Sequence, residues 1–334
     1  MDKIKKYRIA LIIQSIAMIA LLCFSVLLFF KDRAQDETLL KDAKTQVSGT
    51  QNTGSVPDDI VPLEDEAGAW YSSLHFISHS GGGIDGKIYS DSMEAWEHSY
   101  EEGNRIIDAD LNTTSDGHLV LAHSFKDNLE KNGTRLDPAD AEMNYFHLLQ
   151  YKLPESNIPD HKTFMSEPVY RKYTPMDVEA MLDFMAEHDD LYVVCDMKKD
   201  TEEGYRNLVE TAENTGCSDV LSRVIVAFYD DKDFEKIKKV YPFKHYMIRR
   251  YGSRYDDPAG LVEFCVKNDI HCVGIQGDYI DKGFADLLNK YNIHIAAAVV
   301  EHISDMQYYH DMGVDMAVTD WLYESDWKYV EESK

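Results

Sequence analysis

The stretch NRIIDADLNTTSDGHLVLAHSF, Asn104 to Phe125, decides how the rest of the chain reads. Arg105 to Leu111 is an apolar run that carries two carboxylates, Asp108 and Asp110, and Gly117 breaks it from a second run, His118 to His123. Side chains two apart on a strand point to the same face, so Asp108 and Asp110 converge on one side. Two carboxylates on one rigid face repel each other unless a cation sits between them, which makes the pair a candidate site for a hard metal ion. The second run ends on His123, a candidate acid or base at the mouth of that face. Asp116 with Gly117 reads as turn chemistry, because Asp-Gly is a strong hairpin signal.

Working outward, the same kind of run recurs. Leu74 to Ser78 leads into His79 and the glycine-rich SGGG, a loop whose backbone can approach a ligand closely. Leu191 to Met197 carries Asp196 and is followed by Lys198. Further short apolar runs lie at Val224 to Phe228, His245 to Ile248, Cys272 to Ile275, His294 to Val300 and Met316 to Val318, with amphipathic stretches between most of them. Strands that alternate with helices pair in parallel, and this many units predict a closed (β/α)₈ TIM barrel. Nine candidate strands compete for eight places, so one is an extra or irregular segment. Thr174, with Pro175 next and Asp177 three on, predicts a capped helix start, and Asp91 reads as a cap before the helix at Ser92 to Glu102. The interval Lys126 to Tyr173 interrupts the alternation and predicts an insertion near the substrate site. Catalytic groups of such barrels sit at the C-terminal ends of strands, where His79, Asp108, Asp110, His123, Asp196 and Lys198 all fall. Gln276 ends the VGIQ run and offers a hydrogen bond to a polar substrate.

Composition narrows the partners. The chain has 334 residues, with 60 acidic against 34 basic side chains and a formal net charge of −26. Such a surface argues against nucleic acid, and it repels a phosphate ester unless a local cation offsets the field. Ile9 to Phe30 contains no charge and is long enough to cross a hydrocarbon core of about 30 Å as a helix. Lys3, Lys5, Lys6 and Arg8 precede it, which places residues 1–8 in the cytoplasm and everything after the span outside the cell membrane. The apolar run is longer than the usual core of a signal peptide, and no Ala-x-Ala-like site follows it before Lys31. Residues 31–68 are polar and read as a flexible stalk, and residues 69–334 as the barrel domain. The cysteines fit no metal spacing, and Cys195 and Cys272 lie in apolar runs as buried hydrophobes.

The residues His79 and Gly81, Asp108 and Asp110, Thr114, Asp116, Gly117, Val120, His123, Asp196 and Lys198, with Thr319 and Asp320 in the tail VDMAVTDWL, resemble the motif set of the glycerophosphodiester phosphodiesterase family. The resemblance runs from about Leu74 to Leu322. It implies a metal-dependent hydrolase that cuts glycerophosphodiesters into glycerol phosphate and an alcohol. On that reading Asp108, Asp110 and Asp196 hold one divalent cation, Ca²⁺ or Mg²⁺, His79 and His123 work as an acid and base pair, and Lys198 faces the phosphate. The chain departs from the family pattern in four places. Ser80 stands where members show Arg, Ser124 where they show Asp, and Asp108 and Asp196 where they show Glu. Arg249 and Arg250, which close the HYMIRR run, could replace the missing Arg. The same barrel also suits a phospholipase or a hydrolase of glycerol-phosphate wall polymers. A surface binding protein that has lost catalysis fits the departures.

Overall fold

A computed structural model describes residues 55–66, 68–125, 158–252 and 255–331 of the chain. The membrane span expected at Ile9 to Phe30, residues 31–54 of the stalk and much of the interval after Lys126 lie outside the described residues. Among the described residues no helix is long and apolar enough to cross a membrane.

Nine strands form: β1 (Phe76–Ser78), β2 (Ile106–Thr113), β3 (Leu119–Leu121), β4 (Tyr192–Met197), β5 (Val224–Phe228), β6 (His245–Arg250), β7 (Cys272–Gln276), β8 (His294–Ala298) and β9 (Met316–Thr319). Eight pair in parallel, and the ring closes because β1 pairs with both β9 and β2. The extra strand is β3. It folds back antiparallel on β2 across the turn at Gly117, whose φ of 90° suits glycine. Asp116 accepts from Thr114 Oγ1 and from the His161 N–H, so it does act in that turn. Seven helices follow the strands of the ring in turn: α1 (Met93–Glu101), α2 (Val178–Glu187), α3 (Thr201–Thr215), α4 (Asp231–Val240), α5 (Pro258–Lys267), α6 (Lys282–Asn289) and α7 (Ile303–Asp311). The architecture is an eight-stranded TIM barrel.

Period-two alternation explains how the barrel separates core from site. Ile106, Val194, Ile225, Ala227, Met247, Cys272, Ala296 and Met316 form one buried apolar cluster, and Trp70 and Tyr71 join it. Counting on by twos from Ile106, Val194 and Met247 along the same strand faces leads to Asp108 and Asp110, to Asp196, and to Arg249. One face of each of these three strands is therefore apolar at its start and ionic at its C-terminal end. The larger apolar cluster, which includes Phe76, Ile107, Cys195, Tyr205, Val226, Phe234 and Phe284, packs helices against the outward strand faces.

Two boundaries differ from the expectation. Thr174 does not cap a helix: its N–H and hydroxyl both donate to Glu94, and Pro175 bridges to Ser92. The helix starts after Asp177, whose side chain accepts from the Ala180 N–H. Packing also starts before Ala69. Ile60 and Leu63 are buried in the core, and the Leu63 N–H donates to the Tyr291 carbonyl at 3.1 Å.

Candidate active site

Asp108 and Asp110 lie on β2 and Asp196 on β4, with Asp110 directly opposite Asp196 in the parallel register. All three are buried. The cations that hold them together belong to the protein. Lys198 Nζ lies 2.6 Å from Asp110 Oδ1 and 2.8 Å from Asp196 Oδ2. Arg249 Nη1 lies 3.1 Å from both Asp108 oxygens and 3.4 Å from Asp196 Oδ2. Tyr229 Oη donates to Asp196 Oδ2 at 2.7 Å and Ser80 Oγ to Asp110 Oδ2 at 2.7 Å. Ser80, the residue where the resemblance had led one to look for Arg, is thus tied to the carboxylate cluster.

These surroundings make the three acids unlike. Burial pushes the Asp108 carboxyl up, and Arg249 offsets this only in part. Burial acts on Asp110 in the same direction, but Lys198, His123 and His79 together hold it well below the usual carboxylate range. Asp196 is likewise lowered against burial, by Lys198 and Arg249. Lys198 answers in kind: burial disfavours its charge, yet Asp110 and Asp196 keep the ammonium well above its ordinary value.

His79 faces the cluster from the turn after β1. Its Nδ1 lies 3.2 Å from Asp320 Oδ1 at the end of β9, which leaves Nε2 for other work. Burial alone would strip its proton, but Asp320, with help from Asp110 and Asp108, pushes it up to about 9. Behind Asp320 stands Glu301, on the loop after β8. Its Oε2 accepts from the Asp320 N–H at 3.1 Å, and burial and the Asp320 charge push its carboxyl up to about 8. The Tyr89 ring bridges the two histidines, 4.5 Å from His79 and 5.4 Å from His123 between ring centroids.

Several expectations need correction. The glycines after His79 do not hold the backbone open for a ligand. A Cβ at Gly81 would meet Trp96 at 2.8 Å, and one at Gly83 would meet Trp321 at 2.4 Å, so the loop packs on its own protein. Asp91 is not the cap of α1, which follows Ser92; its Oδ1 accepts from the Asp110 N–H at 3.4 Å and steadies that strand end. Gln276 ends β7. Its Oε1 accepts from the Gly252 N–H, and the side chain lines a cleft of about 160 Å³ with Tyr251, Asp278 and Tyr309. Among the described residues no group of three or more His, Cys, Asp or Glu side chains is arranged to hold a metal ion, and Lys198 and Arg249 stand among Asp108, Asp110 and Asp196. Glu301, Tyr229 and Tyr89 were missed by sequence reasoning. Each lies at or beyond a strand end, where period-two reading stops.

Comparison with known proteins gives the family and the fold. The model of the glycerophosphoryl diester phosphodiesterase family matches residues 79–322, and the chain belongs to that family. It is, with that family, a phosphoric diester hydrolase. No curated protein matches it. A glycerophosphodiester phosphodiesterase from Parabacteroides distasonis is similar in fold, at 15% identity over 78% of this chain and 98% of that one, with a TM-score of 0.56. A phosphodiesterase from Oleispira antarctica, solved with its product sn-glycerol-3-phosphate, is 14% identical over the same shares, also with a TM-score of 0.56.

Proposed function

We propose that the chain hydrolyses glycerophosphodiesters to glycerol phosphate and an alcohol, assisted by one divalent cation, at the outer face of a membrane. The observation that carries this reading is the meeting of a charged imidazole, a second imidazole and a cation-lined carboxylate cluster at one barrel mouth. Membrane attachment rests on the uncharged run Ile9 to Phe30 and the basic residues before it.

The three carboxylates stand around Lys198 and Arg249 in this structure, and the divalent ion is proposed on their donor chemistry alone. Asp108 Oδ1 and Asp196 Oδ1 are buried and accept no hydrogen bond among the described residues, and carboxylate oxygens are the ligands Ca²⁺ and Mg²⁺ prefer. Asp108, Asp110 and Asp196 would hold it, and when bound it supplies charge stabilisation for phosphoryl oxygens. Lys198 spends two donors on Asp110 and Asp196, and the third is left for a phosphoryl oxygen. His79, held at Nδ1 by Asp320 and protonated at neutral pH, gives a proton from Nε2 to the leaving oxygen. His123 takes the proton of the nucleophile. Gln276 offers its amide N–H to the alcohol end of the substrate from the cleft shared with Tyr251 and Asp278.

The test is hydrolysis of glycerophosphocholine, glycerophosphoethanolamine and glycerophosphoglycerol by the full chain, with EDTA, Mg²⁺ or Ca²⁺. Glycerol phosphate release that a metal restores after EDTA, and that Asp110→Ala abolishes, is expected. Equal turnover in EDTA removes the cation from the reading, and no release from any substrate moves it to lipid or polymer phosphodiesters.

A further inference from the structure

The carboxylate cluster already contains a buried cation where a metal ion would be expected to act. Arg249 is 1% exposed, and the chain is shaped to admit it. In the parallel register it lies opposite Gly274 on β7, and a Cβ at Gly274 would come within 3.0 Å of Arg249 Cγ. The glycine therefore makes the slot through which the arginine stem runs. The guanidinium is then fixed on several sides. Nε donates to Met247 Sδ at 3.5 Å, Nη1 reaches Asp108 and Asp196, and the Tyr251 ring centroid lies 5.9 Å from Cζ. Nη2 has no hydrogen-bond partner among the described residues, nor does Asp196 Oδ1, and Asp108 Oδ1 meets Arg249 Nη1 at 3.1 Å as an ion pair without a hydrogen bond. The cluster thus holds an incompletely satisfied cation against two incompletely satisfied carboxylates, an arrangement in which the pairing can be exchanged.

We infer that Arg249 is the built-in counter-cation of the Asp108–Asp196 pair and competes with a divalent ion for those carboxylates, so that it sets the metal affinity of the site. This rests on the reading that Asp108, Asp110 and Asp196 form the cation site. Asp108 and Asp196 carry short side chains, and a guanidinium with a planar fork reaches between them where a compact ammonium from the same backbone position would not. A metal ion that takes the Oδ1 atoms enters the field of a positive charge 3.1 Å from Asp108 and must displace or share it.

The experiment is calorimetric titration of Ca²⁺ and of Mg²⁺ alone into the full chain, for the wild type and for Arg249→Lys, Arg249→Gln and Asp110→Ala. The expected order of affinity is wild type weakest, Arg249→Lys tighter, and Arg249→Gln tightest, by about tenfold or more over the wild type. A metal-dependent rise in the melting temperature should follow the same order. Equal or weaker binding in both Arg249 variants overturns the inference. If Arg249→Gln shows no cooperative melting, Arg249→Lys decides alone: tighter binding supports competition and equal or weaker binding refutes it. Undiminished binding by Asp110→Ala places the cation elsewhere, and no binding by any protein removes the site altogether. Either of these results overturns the underlying reading, whereas loss of binding in Asp110→Ala with no gain in the Arg249 variants overturns the role of Arg249 alone.

Discussion

The two sides of the barrel mouth solve opposite electrostatic problems with the same residue type. On the side of β2, β4 and β6, three aspartates are held by two protein cations, Lys198 and Arg249. On the side of β1 and β9, an aspartate holds a cation: Asp320 keeps His79 charged, with the largely neutral Glu301 behind it. Burial opposes the charged form of both Asp110 and His79, and in each the charges around it outweigh that penalty. A pKa at such a mouth is therefore decided by the sign of what was buried alongside the group. The first side is built to receive positive charge, or to resist it where the resident guanidinium is strong enough. The second keeps a proton on a buried imidazole.

The most severe way to break this comparison is to remove a histidine. His79→Ala and His123→Ala should each lower kcat by about 10²- to 10⁴-fold on the best glycerophosphodiester while the far-ultraviolet circular dichroism spectrum stays that of the wild type. Retention of wild-type turnover by either variant takes that residue out of the acid and base pair. A smaller and more discriminating effect is expected from Asp320→Asn. His79 is protonated below about 9, so the proton-donating form is lost as pH rises through that value. Without the Asp320 charge the burial effect dominates and the alkaline limb of kcat/KM should move toward neutral pH, with about a tenfold loss of activity at pH 8. An alkaline limb that stays near 9 in Asp320→Asn would show that another group donates the proton.

How much of this was legible in the sequence follows from where each contact is made. The nine runs were legible because every strand buries at least one face, and the spacing of Asp108, Asp110, Asp196 and Lys198 survives as geometry because period two holds along a strand. The helix start at Thr174 was misread because a local cap signal cannot reveal that Glu94, 80 positions away, takes both donors of Thr174. The pairing of His79 with Asp320 spans 241 positions and exists only because β1 closes on β9. Arg249 was visible as one of two arginines at a strand end, but its seat among the carboxylates depends on Gly274, its register partner on the neighbouring strand β7.

The gentlest probe of the comparison is Glu301, because it separates the cost of charge from the work of catalysis. Its carboxyl titrates near 4.5 in an ordinary setting and near 8 in the folded chain. Between those values the folded protein holds a proton that the unfolded chain has released, so this group makes stability fall as pH rises from about 4.5 to about 8. Glutamine keeps the shape and removes the titration. Glu301→Gln should therefore melt about 2–4 °C higher than the wild type at pH 8 and show little difference near pH 4.5. The amide can still accept from the Asp320 N–H, so the alkaline limb set by His79 should remain close to 9. A melting difference that is the same at both pH values would mean that Glu301 is charged in the fold. His79 would then face two negative charges across Asp320 instead of one, and the asymmetry between the two sides of the mouth would be larger than the burial of Glu301 implies.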